Sequence, residues 1–92
     1  SLGTVTSLEK VKDSWFLLVT VEKNILKYIV TKGSISIDGV SLTVNDIRDQ
    51  SISLMIIPHT YENTIIKYYK SGEKVNIEVD YISKHIEKLK ND

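Results

Sequence analysis

Ninety-two residues are enough for one small domain with a single modest core, and not for two. Twelve basic and twelve acidic side chains cancel without forming a basic block, so nothing points to nucleic acid as a partner, and the lack of cysteine excludes disulfides and thiolate chemistry. There is no signal peptide and no apolar run long enough to span a bilayer, so a cytoplasmic chain with no membrane partner is expected. The chain opens without methionine, which reads as an excised domain, with Ser1-Leu2 as a cloning remnant.

Residues 3–11 alternate loosely at Val5, Leu8 and Val11, and Lys12-Asp13-Ser14 is a polar turn. Residues 15–21 (WFLLVTV) are apolar on both faces at their centre, which suits a strand in a closed barrel, and the two segments form a first hairpin. Over residues 24–30 the period changes. Ile25, Leu26, Tyr28 and Ile29 share a helical face that Gly33 stops, predicting a short helix placed to plug one end of a barrel.

Residues 33–45 (GSISIDGVSLTVN) hold two short alternating runs around Asp38-Gly39, a strong hairpin signal because a type I′ turn needs positive φ at both central residues. The alternation sends Ile35, Ile37, Val40, Leu42 and Val44 inward and Ser34, Ser36, Ser41 and Thr43 to the opposite faces. On residue type alone Ser41 and Thr43, two residues apart just after the turn, either form a short polar ladder on one strand face or simply fill the wet side of a half-exposed strand.

Ile47-Arg48-Asp49-Gln50 reads as a turn, and residues 51–57 as the next strand, ended by Pro58, which removes a ladder donor. Thr60 is the expected N-cap of a helix through residue 69, with Glu62 in its first turn, and Ser71-Gly72 closes it. Residues 74–80 make a last strand with Val75, Ile77 and Val79 on one side. Residues 81–90 then read as a C-terminal helix whose face collects Tyr81, Ile82, His85, Ile86 and Leu89, suited to oligomerisation or to docking back on the barrel. The sum is an all-β, mainly antiparallel chain of about six strands with short helices and a C-terminal helix, organised as one domain over residues 1–92.

GSISIDGVSLTVN, followed by IIPHTYENT at residues 56–64 and GEKVNIEVD at 72–80, closely resembles the C-terminal lumazine-binding barrel of riboflavin synthases. The run ILKYIVTKGSI at 25–35 fits the stretch before the hairpin in that family, so the resemblance covers about residues 14–89. It implies a six-stranded Greek-key barrel that binds 6,7-dimethyl-8-ribityllumazine or riboflavin. Two departures stand out: only Gly3-Thr4 matches the end of the family's glycine- and histidine-containing lead segment, and the family's second, N-terminal barrel has no counterpart here.

The resemblance also implies the site. Ser41 would lie near the reacting ring with Thr43 at the ribityl chain or ring edge, the Leu42 backbone between them, and the Lys32 amine on the ligand. On its own, Lys32 reads as a solvated lysine at a helix end. Ile57, Pro58, His59, Thr60, Tyr61 and Glu62 resemble the second binding segment, where a strand stops and a helix begins, presenting free backbone groups to a pyrimidinedione edge. His59 can hydrogen-bond a hydroxylated chain or relay a proton near neutral pH, or simply occupy a turn. Asp38 is near the site in the family, which implies a catalytic role beside Ser41; the residue alone reads as an Asx-type turn. His85 reads as surface or interface. The two histidines are far apart, and no metal set, phosphate loop or triad is present, so a cofactor-free reaction is expected.

The activity so implied is dismutation of two lumazines by four-carbon transfer, giving riboflavin and a pyrimidinedione. One barrel holds one lumazine and a second barrel, from an N-terminal domain or another subunit, holds the other. The full-length enzyme is then expected to be a homotrimer, with this chain supplying half an active site. Two other classes remain open: a non-catalytic lumazine or flavin carrier, and a purely structural barrel.

Overall fold

The computed structural model describes residues 1–79. Its elements are β1 (Leu2–Val11), β2 (Ser14–Thr20), α1 (Lys23–Leu26), β3 (Ser34–Ile37), β4 (Val40–Arg48), β5 (Ser51–Ile56), α2 (Pro58–Asn63), a 3₁₀ turn (Ile65–Tyr68) and β6 (Lys74–Val79). All pairings are antiparallel, and the strands close in the order β1-β2-β5-β4-β3-β6. β3, β4 and β5 follow one another and β6 returns beside β3, which is the Greek key. Closure pairs each described strand with a neighbour on both sides, which removes open sheet edges among the described residues.

The interior is filled by alternate side chains of every strand: Val5, Leu17, Val19, Ile35, Ile37, Leu42, Val44, Ile52, Leu54, Ile56, Val75 and Ile77 are buried. Asp38 (φ 48°) and Gly39 (φ 86°) take the left-handed conformations that the two-residue hairpin requires, and Ile35 and Ile37 pair with Leu42 and Val40 as the alternation predicts. Val40, at the tip, is half-buried.

Two register shifts explain where the alternation is loose. Between Val5 and Ser7 an extra residue enters β1, so Val5 opposite Val19 and Leu8 opposite Leu17 both serve the core despite their three-residue spacing. Between Val44 and Asp46 a second shift moves the inward position from even to odd numbers, and Ile47 pairs with Ile52. The segment expected to turn at residues 47–50 is therefore still strand through Arg48. The chain reverses at Asp49-Gln50, with Asp49 at φ 53°.

The helix expected over residues 24–30 is shorter. α1 spans Lys23–Leu26, and its fold-back continues through Tyr28 N–H to the Ile25 carbonyl (3.0 Å) and Ile29 N–H to the Leu26 carbonyl (3.1 Å). Ile25 and Ile29 are buried, so the predicted apolar face does enter the core. Leu2 lies within β1, opposite Asn76, so Ser1-Leu2 leads directly into the barrel. The helix expected at residues 81–90, with Tyr81, Ile82, His85, Ile86 and Leu89, lies outside the described residues.

Gly3 marks a close approach of β1 to the core. A Cβ there would collide with Ile77 Cδ1 and sit 2.7 Å from Val19 Cγ1. Gly3→Ala is expected to destabilise the chain by about 1–3 kcal/mol through overpacking, read as a lower urea midpoint with an unchanged slope. An unchanged midpoint would mean that Ile77 swings aside without cost.

Candidate functional site

The outer face of β4 carries Ser41 and Thr43, both exposed because the intervening Leu42 and the following Val44 are committed to the core. Across β3, Ser36 stands opposite Ser41 and Ser34 opposite Thr43, and the Ser34 and Ser41 hydroxyls are hydrogen-bonded along the diagonal at 2.9 Å. On the other flank Met55 of β5 lies opposite Thr43, and Phe16 of β2 opposite Met55. A row of hydroxyls thus runs into an apolar row, and Met55 keeps 36% of its surface exposed. Ile57 is two residues beyond Met55 and Ser41 two before Thr43, so the antiparallel register brings β5 out at the Ser41 end of β4.

There the chain enters α2, one turn earlier than Thr60 predicts. Pro58 is the first helical residue and Ile57 the N-cap, without a side-chain bond. The cause is proline's fixed φ and missing donor, which suit the first position of a helix where an N–H has no partner. The first helical bond runs from Tyr61 N–H to the Ile57 carbonyl at 3.0 Å, and the amides of His59 and Thr60 have no acceptor within the helix. Thr60 is therefore inside α2 and does not cap it, and Glu62 lies past the first turn.

The expected continuous helix breaks at Thr64, whose hydroxyl donates to the Thr60 carbonyl (2.8 Å) and accepts from Ile66 N–H (3.3 Å). Thr64 is thus the cap, of the 3₁₀ turn. The other residues of this segment divide by exposure. Ile57, Pro58, His59 and Glu62 are exposed, and Thr60 and Tyr61 half-buried. Asn63 Nδ2 donates to the His59 carbonyl at 2.7 Å and lies 3.3 Å from His59 Nδ1, fixing the ring against its own helix. The Glu62 carbonyl accepts from Lys67 Nζ at 3.0 Å. Tyr61 stacks on Trp15, ring centroids 3.9 Å apart and planes within 3°.

Asp38, at the hairpin tip, turns its carboxylate toward β6. One oxygen accepts from Tyr69 O–H at 2.5 Å and the other from Asn76 N–H at 2.8 Å. Burial, and then the bond to Asp38, push the Tyr69 phenol well above its ordinary value. Lys32 is exposed beside the middle of β4, next to Val44. Its amide donates to the Val44 carbonyl (2.8 Å), and its φ of 74° is a left-handed conformation that costs a lysine about 1–2 kcal/mol.

The structure thus brings Ser41, Thr43 and the Ile57–Thr60 junction to one flank of the barrel. Lys32 borders that face just past Thr43, where its amide meets Val44, while the Asp38 carboxylate is engaged by β6 and Tyr69. Leu42 has only its backbone to offer, its side chain being buried. Ser34, Met55, Phe16 and Trp15 were not among the sequence candidates. Register would have found the first two, since both are cross-strand neighbours of Thr43, and Phe16 follows one strand further as the neighbour of Met55. Chemically, hydroxyls beside an apolar row and free helical amides suit a flat ligand with a hydrogen-bonding edge. Among the described residues no group of three or more His, Asp or Glu could hold a metal, and no helix is long and apolar enough to cross a membrane.

A family model described as "Lumazine binding domain" matches residues 1–80. A riboflavin synthase of Photobacterium phosphoreum is 47% identical over 77 residues, which is 84% of this chain and 34% of that protein. A riboflavin synthase of Actinobacillus pleuropneumoniae is 38% identical over 87 residues, 95% of this chain and 40% of that protein. The chain thus spans well under half the length of these relatives. A crystal structure of LumP complexed with 6,7-dimethyl-8-(1'-D-ribityl) lumazine matches 87% of this chain and 45% of its own with a TM-score of 0.81 at 22% identity, a likeness of fold. With the barrel, the outer hydroxyl row and a family match over residues 1–80 in agreement, this chain belongs to the lumazine-binding domain family.

Proposed function

We propose that this chain is a riboflavin synthase barrel that binds one 6,7-dimethyl-8-ribityllumazine on the outer face of β4 and β5 and contributes half of an active site. Catalysis is dismutation: a four-carbon unit passes from one lumazine to another, leaving riboflavin and a pyrimidinedione, without a cofactor. The observation that carries this reading is the outward Ser41–Thr43 pair beside apolar Met55 and the start of α2, in a chain 47% identical to a riboflavin synthase over most of its length.

In this reading Thr43 and Ser41 bond the ligand, Met55 supports its ring, and the Ile57–Thr60 backbone meets the pyrimidinedione edge. His59 and Lys32 border it, and Tyr61 and Glu62 complete the segment. Asp38 is the second catalytic candidate beside Ser41, and its two hydrogen bonds also give it a structural task. The donor and acceptor lumazines must stack, so a second barrel is needed, and much of the acceleration comes from holding the two together. That barrel comes from an N-terminal domain or another subunit of a cytoplasmic homotrimer.

The test is to mix the chain with the lumazine and follow riboflavin by its fluorescence. Binding of one lumazine per chain, with a rate rising as the square of chain concentration, is the expected result. Tight binding with no riboflavin at any concentration would favour the carrier reading instead. No binding at all would sink both.

A further inference from the structure

We infer that the Trp15–Tyr61 stack is a positioning device, holding the Ile57–Thr60 segment in place against the outer face of β4 and β5; this rests on the function proposed above. Among the described residues, α2 has little else to hold it to the barrel. It is six residues long, none of them is buried, and no side chain caps its start. Its neighbours along the chain are fixed: Ile56 pairs within the barrel opposite Trp15, and Ile66 in the 3₁₀ turn is buried. Between those two anchors, and among the described residues, the helix's apolar grip is Tyr61, which packs against the core together with Trp15.

The stack is close to parallel, 3.9 Å between centroids and 3° between planes, so it fixes the tilt of the ring and not only its distance. Trp15 faces the core side of β2 at the barrel's end, on the same parity as buried Leu17 and Val19. Tyr61 also donates the first helical bond, to the Ile57 carbonyl. Moving its ring therefore moves the junction at Ile57, Pro58, His59 and Thr60. The consequence is a division of labour within the segment: Tyr61 positions, and its neighbours touch the ligand. Trp15, on another strand and outside the segment, becomes a determinant of affinity.

The test uses the full chain with 6,7-dimethyl-8-ribityllumazine as probe, titrated by fluorescence, alongside amide hydrogen exchange without ligand. Trp15→Phe, which keeps a stacked pair, is expected to bind within about twofold of the parent. Tyr61→Leu and Trp15→Leu are expected to weaken binding about tenfold each, and the double variant no more than either alone, the mark of one shared interaction. In both Leu variants the Tyr61-position amide should exchange faster while amides of β4 and β5 stay protected. Loss of affinity in Trp15→Phe equal to that in Trp15→Leu would overturn the inference, because the first keeps a stacked pair and the second does not. So would parent-like binding by Trp15→Leu. A parent that binds no lumazine would overturn the binding role along with the proposed function, and unchanged α2 exchange in the Leu variants would identify the stack itself as the failed premise.

Discussion

Ser41→Ala and Thr43→Val are each expected to weaken lumazine binding by about 1–2 kcal/mol, a roughly five- to thirty-fold rise in Kd, with little change in stability. The stability half of this expectation follows from exposure. Both side chains face outward, and the packing of β4 against the core comes from Leu42 and Val44. Removing the Ser41 hydroxyl frees Ser34 from its 2.9 Å bond, but that bond is exposed and water replaces it. The binding half follows from desolvation: a ligand laid on this face excludes the water that would otherwise satisfy its own polar edge. Calorimetric titration and a melting curve on the same samples separate the two. Variants that fold and bind like the parent would remove β4 from the site.

Asp38→Ala is expected to cost about 2–4 kcal/mol, because it deletes two charge-assisted hydrogen bonds and puts alanine at a positive φ. Those bonds tie the hairpin tip to residues 31 and 38 positions away, so the loss loosens barrel closure between β3 and β6. Asp38→Asn is the informative partner. Asparagine tolerates the left-handed turn and keeps both contacts, with the Tyr69 hydroxyl now accepting, so only about 1 kcal/mol is expected to go. A folded Asp38→Asn that binds lumazine yet forms no riboflavin would promote Asp38 to acid–base chemistry; parent-like turnover would confine it to structure.

The same contact predicts alkaline behaviour. The Tyr69 phenol is raised in the folded chain above its ordinary value of 10.0, chiefly by burial. Its contribution is complete below about pH 10 and is lost as pH climbs from there, since the unfolded chain ionises first. Tyr69→Phe should therefore flatten the fall in stability above pH 10 while lowering stability near neutrality.

Much of the barrel was readable because local and global signals agree at the central hairpin. Asp38-Gly39 demands a tight turn, the flanking alternation sets which side faces in, and both hold in the structure. What escaped was whatever depends on a partner strand. The bulge after Val44 reverses the inward parity, so Ile47 looked like part of a turn although it pairs with Ile52. Pro58 reads equally as the end of a strand and the start of a helix, and only the fold shows it doing both. Of the site, the outward hydroxyls were legible from period two alone. Asp38 was chosen by resemblance, and its bonds to Tyr69 and Asn76 are not predictable from neighbours so distant in sequence. Trp15 is the chain's single tryptophan, and nothing local to it indicates Tyr61 as its stacking partner.

The most direct measurement is backbone NMR of the 92-residue chain titrated with 6,7-dimethyl-8-ribityllumazine. The account predicts saturation at one ligand per chain, with the largest amide shifts at Ser41 through Thr43, Met55 and Ile57 through Thr60, and small ones along β6. Saturable shifts centred elsewhere on the barrel, or none at all, would contradict it.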